Sequence, residues 1–359
     1  MRIGIYDPYL DDLGGGEKYM MTIAEALSRK HDVSVFWDEK KDLHDLLQRF
    51  SLDLDKVKLA PNIFASTVGF FDRLKESKQY DVIIVLSDGS IPFVFSKKLL
   101  LHVQQPLEHL TRLSLKNKVK LARVRGIFYN SQFTQSFNKK LLSGARSTVV
   151  YPPVTLQTKQ IPKENIILHV GRFRVKNVAG VDDYKKQGVM LESFKKMVDE
   201  DLIGKWKFVL AVSIKEDDKK KFAQLQESVK GYPVDFLINK SNDALWDAYN
   251  KAKIYWHASG YGEDLKKHPE FAEHFGISTV EAMGAGAVPV VINAGGQKEI
   301  VTDGENGFLW DTLADLSFKT KQLMDDPKLL MEMAEKAQMR AKDFSKAMFT
   351  KAIFNLVEQ

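Results

Sequence analysis

The chain has 359 residues, 44% of them hydrophobic and 28% charged, with no cysteine; that length suits two domains better than one or three, and that balance excludes a disordered chain or a fibre. Without thiols there are no disulfides, thiolate metal sites, iron–sulfur clusters or thiol nucleophiles, and a reducing, cytoplasmic setting is expected. The formal net charge of +6 lies wholly in the first part: 23 Lys and Arg stand against 17 Asp and Glu over residues 1–150, and 30 against 30 in the remainder.

Residues Met1 to Tyr6 read as a buried strand and not as a signal sequence, and no stretch approaches about 18 uninterrupted apolar residues, so no membrane span is expected. The first half alternates β-rich runs with amphipathic stretches. Strands are predicted at Arg2 to Tyr6, Val33 to Trp37, Val82 to Leu86, Leu99 to Val103, Gly126 to Asn130 and Ser147 to Tyr151. Several are apolar almost throughout, as in a parallel sheet covered on both faces. Between the first two, Met20, Ile23, Ala24 and Leu27 share one face of a helix over Glu17 to Ser28. Between Lys97 and Arg146 there are 11 basic residues and one acidic residue, Glu108. Such a segment suits anionic lipid, a pyrophosphate-bearing acceptor or nucleic acid, and equally a solvated helix face.

At Tyr151-Pro152-Pro153-Val154 two prolines exclude helix, and the alternation then starts afresh. Strands are predicted at Ile166 to Val170, Phe208 to Val212, Val234 to Ile238, Ile254 to His257 and Val288 to Ile292. Helices are predicted at Gln187 to Val198, Asp217 to Ser228 and Asn242 to Lys251, the last with Asn242 as N-cap. The pattern is α/β, with two doubly wound Rossmann-like domains over 1–152 and 153–340 and a C-terminal helix over 341–359 that packs back on the first. Ligands of such sheets bind at the carboxyl ends of the strands, which places the expected site in a deep cleft between facing domains.

Two glycine-rich stretches carry the chemistry. Gly14-Gly15-Gly16-Glu17 opens the first helix, where backbone approaches a ligand closely and helix amides suit a phosphate; a plain tight turn reads the same way. A nicotinamide fingerprint would want glycine where Tyr19 stands, although Asp38 lies near the place of a ribose-binding acid. In the second stretch, Glu273-His274-Phe275-Gly276-Ile277 leads into Glu281-Ala282-Met283, and Gly295-Gly296 opens the next helix. Two helix starts converging there would suit a diphosphate and a sugar. If the stretch between Glu273 and Glu281 were helical, the carboxylates would lie about 12 Å apart along the axis, beyond the roughly 5 Å of a retaining glycosidase pair. His268, Glu270, Glu273 and His274 lack the spacing of a helical metal motif, so no metal is expected. Asp53 and Asp55 form an Asp-x-Asp pattern that reads as a solvated loop, and Trp256 with His257 reads as core or wall.

The stretch from Glu273 to Met283 closely resembles the retaining nucleotide-sugar glycosyltransferases of family four, which have the GT-B fold. Glu273, Phe275, Gly276, Glu281, Ala282 and Met283 match the family motif position for position. The likeness extends to the glycine-rich first turn, His102 to Pro106, Asn130-Ser131, the Tyr-Pro-Pro-Val link and Val170-Gly171-Arg172-Phe173. Together, the Gly14 to Glu17 and Glu273 to Ile277 stretches look most like GDP-mannose-dependent mannosyltransferases of lipid-linked oligosaccharide assembly. The resemblance implies that Glu281 holds the donor ribose, and that Glu273 and the amides of Phe275, Gly276 and Ile277 hold the transferred sugar. By the same likeness Gly15 and Gly16 contribute to donor binding, Arg172 and Lys185 grip the diphosphate, and His102 contacts the sugar from the opposite domain. A guanidinium fork fits phosphate physically. An apparent insertion at Val175 to Tyr184 leaves Lys186 and Lys176 as alternatives to Lys185.

The implied activity is transfer of a hexose from a nucleotide diphosphate sugar, GDP-mannose or a UDP-sugar, to a hydroxyl of a glycan or glycolipid. It implies retention, no metal or other cofactor, and front-face attack in which the departing phosphate oxygen takes the acceptor proton. A nucleotide-sugar epimerase of the same architecture and a noncatalytic nucleotide-sugar binding protein are the rivals. The expected partners are the donor, a glycan or lipid-linked acceptor and, through Lys97 to Arg146, an anionic membrane at the cytoplasmic face; no nucleic acid is expected.

Overall fold

The computed structural model describes residues 1–12, 14–107, 114–159, 161–175 and 183–358. Its contacts divide the chain into two units, Met1–Pro153 with Lys346–Gln359, and Val154–Ser345.

The first unit holds seven strands: β1 (Arg2–Tyr6), β2 (Asp32–Phe36), β3 (Val57–Ala60), β4 (Val82–Leu86), β5 (Lys98–Val103), β6 (Val124–Tyr129) and β7 (Arg146–Val149). Their order is β3-β2-β1-β4-β5-β6-β7, and every neighbouring pair is parallel. A parallel sheet must be covered on both faces, and strands such as Val82–Leu86 are buried at all five positions. On one face Ile3, Ile5, Val33 and Val35 meet Met20, Ile23, Ala24 and Leu27 of the helix Gly15–Ser28. On the other, Ile83, Val85, Leu99 and Leu101 pack with Leu121, Ile127 and Leu142. The last helix, Lys346–Glu358, joins the first core through Phe349, Ile353 and Val357. Its end is held by Lys98 Nζ, which donates to the carbonyls of Leu356 (2.9 Å) and Val357 (3.2 Å). A cation there complements the negative end of the helix dipole, so Lys98 has a structural task within this unit.

The second unit holds β8 (Ile166–Arg172), β9 (Lys207–Ser213), β10 (Val234–Ile238), β11 (Ile254–His257), β12 (Val288–Ile292) and β13 (Phe308–Trp310). The order is β10-β9-β8-β11-β12-β13, again parallel. Phe194, Phe208 and Trp256 lie at the centre of its core, with the Trp256 indole N–H donating to Thr320 Oγ1 at 2.9 Å. The helix Asn242–Lys251 has the predicted bounds, but Ser241 is its N-cap, accepting from the Ala244 N–H at 3.3 Å. Ser241 keeps extended backbone while Asn242 is already helical, which corrects the predicted cap by one residue.

In each sheet the chain reverses its winding once: between β1 and β4 in the first, and between β8 and β11 in the second. Ligands of doubly wound sheets bind beyond the carboxyl ends of the strands at such points.

Candidate functional site

In the second unit, β8 ends at Arg172 and β11 at His257. Beside those ends, Glu273 Oε2 accepts from Lys185 Nζ at 2.6 Å and from His257 Nε2 at 3.0 Å. Because the carboxylate accepts, the His257 ring proton sits on Nε2. The Lys185 and Glu273 side chains are only 16% and 21% exposed, so water screens their attraction weakly. Burial alone would raise the Glu273 carboxyl, yet the Lys185 ammonium and the His257 ring hold it well below the usual carboxylate range. Lys185 answers in kind: burial works against its charge, but Glu273 raises it above the ordinary lysine value. The site therefore holds a fixed carboxylate and a fixed ammonium. Burial lowers His257 despite Glu273. Behind it, burial pushes His169 down to about 3, and its neutral ring bonds the Trp256 carbonyl through Nδ1 at 3.0 Å.

Local backbone explains how Lys185 is presented. Asp183 accepts from the N–H groups of Gln187 (2.6 Å) and Gly188 (2.8 Å), closing the start of the helix Gln187–Asp199. Tyr184 donates its hydroxyl to the carbonyls of Glu270 (3.0 Å) and Ala272 (3.1 Å), tying this turn to the segment that carries Glu273. Lys186 points elsewhere and pairs with Glu263 at 2.5 Å. Lys185 thus reaches Glu273 and Lys186 does not; Lys176 lies outside the described residues.

Glu273 itself is not helical. The helix Ile277–Gly284 begins four residues later, after Gly276 at φ +121°, a conformation that a side chain rarely tolerates. The axial separation expected for a continuous helix between Glu273 and Glu281 therefore does not apply. Phe275 is buried with its ring against Phe344, and Ile277 is half-buried in the first turn. The second glycine pair packs directly beneath, with the Gly296 N–H donating to the Glu273 carbonyl at 2.8 Å. The Phe275–Ile277 turn and the Gly295–Gly296 turn are thus in contact, as the two glycine stretches predict. Glu281, one turn into the helix, accepts from the Tyr249 hydroxyl at 2.9 Å. Arg172 is exposed at the end of β8 and acts electrostatically on both Lys185 and Tyr184. An arginine, a lysine and the first-turn amides of a helix make an environment for an anion, while Glu273 and Glu281 offer acceptors to hydroxyls.

His257 and Tyr249 were not legible as partners of the two glutamates. His257 lies 16 residues from Glu273 and Tyr249 lies 32 from Glu281, and only the packing of strands and helices in the folded unit brings each pair together. Asp183 did carry a signal, an acidic residue just ahead of a predicted helix.

In the first unit, Gly15 and Gly16 open the helix Gly15–Ser28 beyond β1. A Cβ on Gly16 would lie 2.3 Å from the Gln104 amide nitrogen, so glycine there permits close packing against the residue that follows β5. Glu17 accepts from the Gly14 N–H at 2.5 Å. Asp7, at the end of β1, is buried; burial pushes its carboxyl up to about 7, and Glu17 and Asp11 add to the rise. His102 is fully buried at the end of β5, stacked between Tyr19 (4.1 Å) and Phe128 (4.7 Å). Burial pushes it down to about 3, with Nδ1 bonded to the Phe128 carbonyl at 3.2 Å. It is a neutral ring in the interior of this unit.

Comparisons with known proteins fit this geometry. The family described as glycosyl transferases group 1 matches residues 156–340. A GDP-Man:Man(3)GlcNAc(2)-PP-Dol alpha-1,2-mannosyltransferase of Dictyostelium discoideum is 26% identical over 67% of this chain and 47% of its own length. The chain thus spans about half the length of that relative. A Campylobacter jejuni alpha-1,4-N-acetyl-D-galactosaminyltransferase acting on an undecaprenol diphosphate-linked glycan is 25% identical over 92% of this chain and 91% of its own. Among solved structures, a Rickettsia africae glycosyltransferase superposes with a TM-score of 0.73 at 14% identity, covering 99% of this chain and 97% of that one. An Anabaena protein in complex with UDP and glucose superposes with 0.69 at 18%, covering 100% and 99%. Two parallel doubly wound sheets, a site at the switch point of the second and a family match spanning that unit lead to one conclusion: the chain has the GT-B fold and belongs to the glycosyl transferases group 1 family.

Proposed function

We propose that the chain transfers a hexose, with mannose from GDP-mannose as first candidate, to a hydroxyl of a glycan carried on a lipid diphosphate, with retention and without a metal. The observation that carries this reading is Glu273, held ionised by Lys185 and His257 beside the first turn of the helix Ile277–Gly284. Arg172 and Lys185 would stabilise the charge that develops on the departing diphosphate, preorganised as such groups must be to lower a barrier. Glu281, steadied by Tyr249, would hold the ribose hydroxyls, and Glu273 the transferred sugar. In the transfer the bond from the anomeric carbon to the diphosphate oxygen breaks, and a bond to the acceptor oxygen forms on the same face. The acceptor proton passes to the departing phosphate oxygen.

Support for the acceptor class comes from the Dictyostelium and Campylobacter relatives, both named for glycans on a polyprenyl diphosphate. The GDP-mannose preference follows the first of them. UDP-sugars are the competing donors, favoured by the Campylobacter relative's amino sugar and the Anabaena complex with UDP. With such an acceptor, the proposed site of action is the periphery of the cytoplasmic membrane face.

A thermal-shift screen of GDP, UDP and ADP and their sugar conjugates tests the donor. At a hundredfold excess over its dissociation constant, the cognate nucleotide is expected to stabilise the second unit by about 2.7 kcal/mol. That corresponds to a rise of about 5–10 °C in its melting midpoint. A UDP-selective response would move the donor to UDP-sugars, and a flat response to every nucleotide would remove the transferase reading.

A further inference from the structure

In the first unit, the helix Phe70–Ser77 opens with Phe70 and Phe71, which are 51% and 82% exposed. Such exposure is unusual for phenylalanine, and these rings are not isolated. Phe70 stacks on Phe93 at 5.9 Å, and Phe93 meets the exposed Phe95 at 5.7 Å. Arg123 lies over the Phe93 and Phe95 rings at 5.9 and 5.1 Å and donates to the Val94 carbonyl. Arg123 follows the helix Leu115–Leu121, which turns Leu115 (80% exposed) and Val119 to solvent beside Lys116, Lys118 and Lys120. Arg123, lying over Phe93, ties the end of this helix to the ring that stacks on Phe70. A contiguous exposed apolar patch of this kind marks an interaction surface.

Its charge identifies the occupant. The two helices and Arg123 carry six cations, Arg73, Lys75, Lys116, Lys118, Lys120 and Arg123, against two acids, Asp72 and Glu76. A protein partner would need a matched apolar pocket ringed by acids. An anionic bilayer offers an apolar interior behind a continuous negative surface, and phenylalanines flanked by lysines suit that boundary.

We infer that this surface, with Phe70, Phe71, Phe93 and Phe95 at its apolar centre and Lys116, Lys118, Lys120 and Arg123 at its basic edge, docks the protein on an anionic lipid bilayer. The phenylalanines enter the boundary of the acyl chains, and the lysines meet the headgroups. The inference differs from a basic patch spread over Lys97 to Arg146, because Lys98 is engaged by the last helix and Lys97 pairs with Asp81 at 2.6 Å. The apolar centre lies outside that basic segment in sequence, and two of its rings come from the helix Phe70–Ser77. It rests on exposed residues of the first unit and not on the donor site.

The test is co-sedimentation of the full chain with vesicles of phosphatidylcholine and phosphatidylglycerol at 7:3, and of phosphatidylcholine alone, in 0.1 M and 1 M NaCl. Binding is expected to the anionic vesicles in 0.1 M salt, and at least tenfold less to neutral vesicles and in 1 M salt. The double variant Phe70→Ser/Phe71→Ser and the double variant Lys116→Glu/Lys118→Glu are each expected to lose at least tenfold, with the melting midpoint unchanged within about 2 °C because the positions are exposed. Absence of binding to anionic vesicles in 0.1 M salt, or binding by both variants as strong as by the unaltered chain, overturns the inference. So does a dimer that Phe70→Ser/Phe71→Ser dissociates in the absence of vesicle binding, which would assign the patch to a second copy. None of these outcomes involves a nucleotide, so each is separable from the donor screen.

Discussion

Lys185→Ala is expected to lower the transfer rate by about 10²–10³-fold, the range seen when one preorganised charge-stabilising group is removed. In the proposed function Lys185 has two tasks at one place. It faces the ground where the diphosphate would lie, and it is the first partner of Glu273, at 2.6 Å. Removing it leaves the carboxylate half-buried with His257 alone; a hydrogen bond to a charged group contributes about 1.5–3 kcal/mol, so the melting midpoint of this unit is expected to fall by about 3–12 °C. The pH dependence has a definite sign. Burial pushes Glu273 up and Lys185 holds it down, so without Lys185 the carboxyl takes its proton at a higher pH and activity fails earlier as pH falls. Lys186→Ala is the internal comparison, because Lys186 is committed to Glu263 in a pair as buried as that of Lys185: a similar loss of stability is expected, but with the rate within about threefold, less than about 1 kcal/mol of barrier. Steady-state rates of nucleotide release across pH 5–8 for both variants check this. Equal losses in the two would mean that Lys185 has no special place.

Gly296→Ala is the second large effect, and a purely steric one. Gly296 has φ −69° and ψ −12°, where alanine is at ease, so no backbone strain enters. A Cβ there would lie 2.4 Å from Phe275 Cα and 2.5 Å from the Phe275 carbonyl oxygen. Backbone, and not a flexible side chain, must move. Overpacking of that kind costs about 1–3 kcal/mol, or about 2–12 °C in the melting midpoint. The part that moves is the turn bearing Glu273, Phe275 and Gly276, so nucleotide release is expected to fall at least tenfold even where the unit stays folded. A thermal melt paired with a rate measurement separates the two consequences. A variant as stable and as active as the unaltered chain would show that the two glycine turns do not position each other.

Much of the fold was legible because parallel strands buried on both faces leave continuous apolar runs. Val82–Leu86, Ile254–His257 and Val288–Ile292 are buried throughout and have the predicted bounds. The two strands missed, Val57–Ala60 and Phe308–Trp310, are short and stand at sheet edges. Edge strands need less apolar sequence, and Val57–Ala60 has no fully buried residue. The stretch beside the switch point of the second sheet was legible through Glu273, Gly276 and Glu281, since glycine and carboxylate at fixed spacing leave a pattern. What could not be read were the groups that set the state of those acids. His257 looked like part of the core or wall because it ends a buried strand, and its role rests on which ring atom meets Glu273. For His102, a position at a strand end does not reveal the Tyr19 and Phe128 rings that enclose it.

The most direct measurement is calorimetric titration of the nucleotide chosen by the donor screen into the unaltered chain, Arg172→Ala and Glu281→Ala. Arg172 would contact the diphosphate and Glu281 the ribose, so the two variants probe opposite ends of one ligand. Loss of a charge-assisted bond to phosphate or of a carboxylate–hydroxyl pair costs about 1.5–3 kcal/mol, or about 10–150-fold in affinity. The account predicts saturable binding to the unaltered chain and at least tenfold weaker binding to each variant with the fold retained. Binding of equal strength by all three proteins would contradict it.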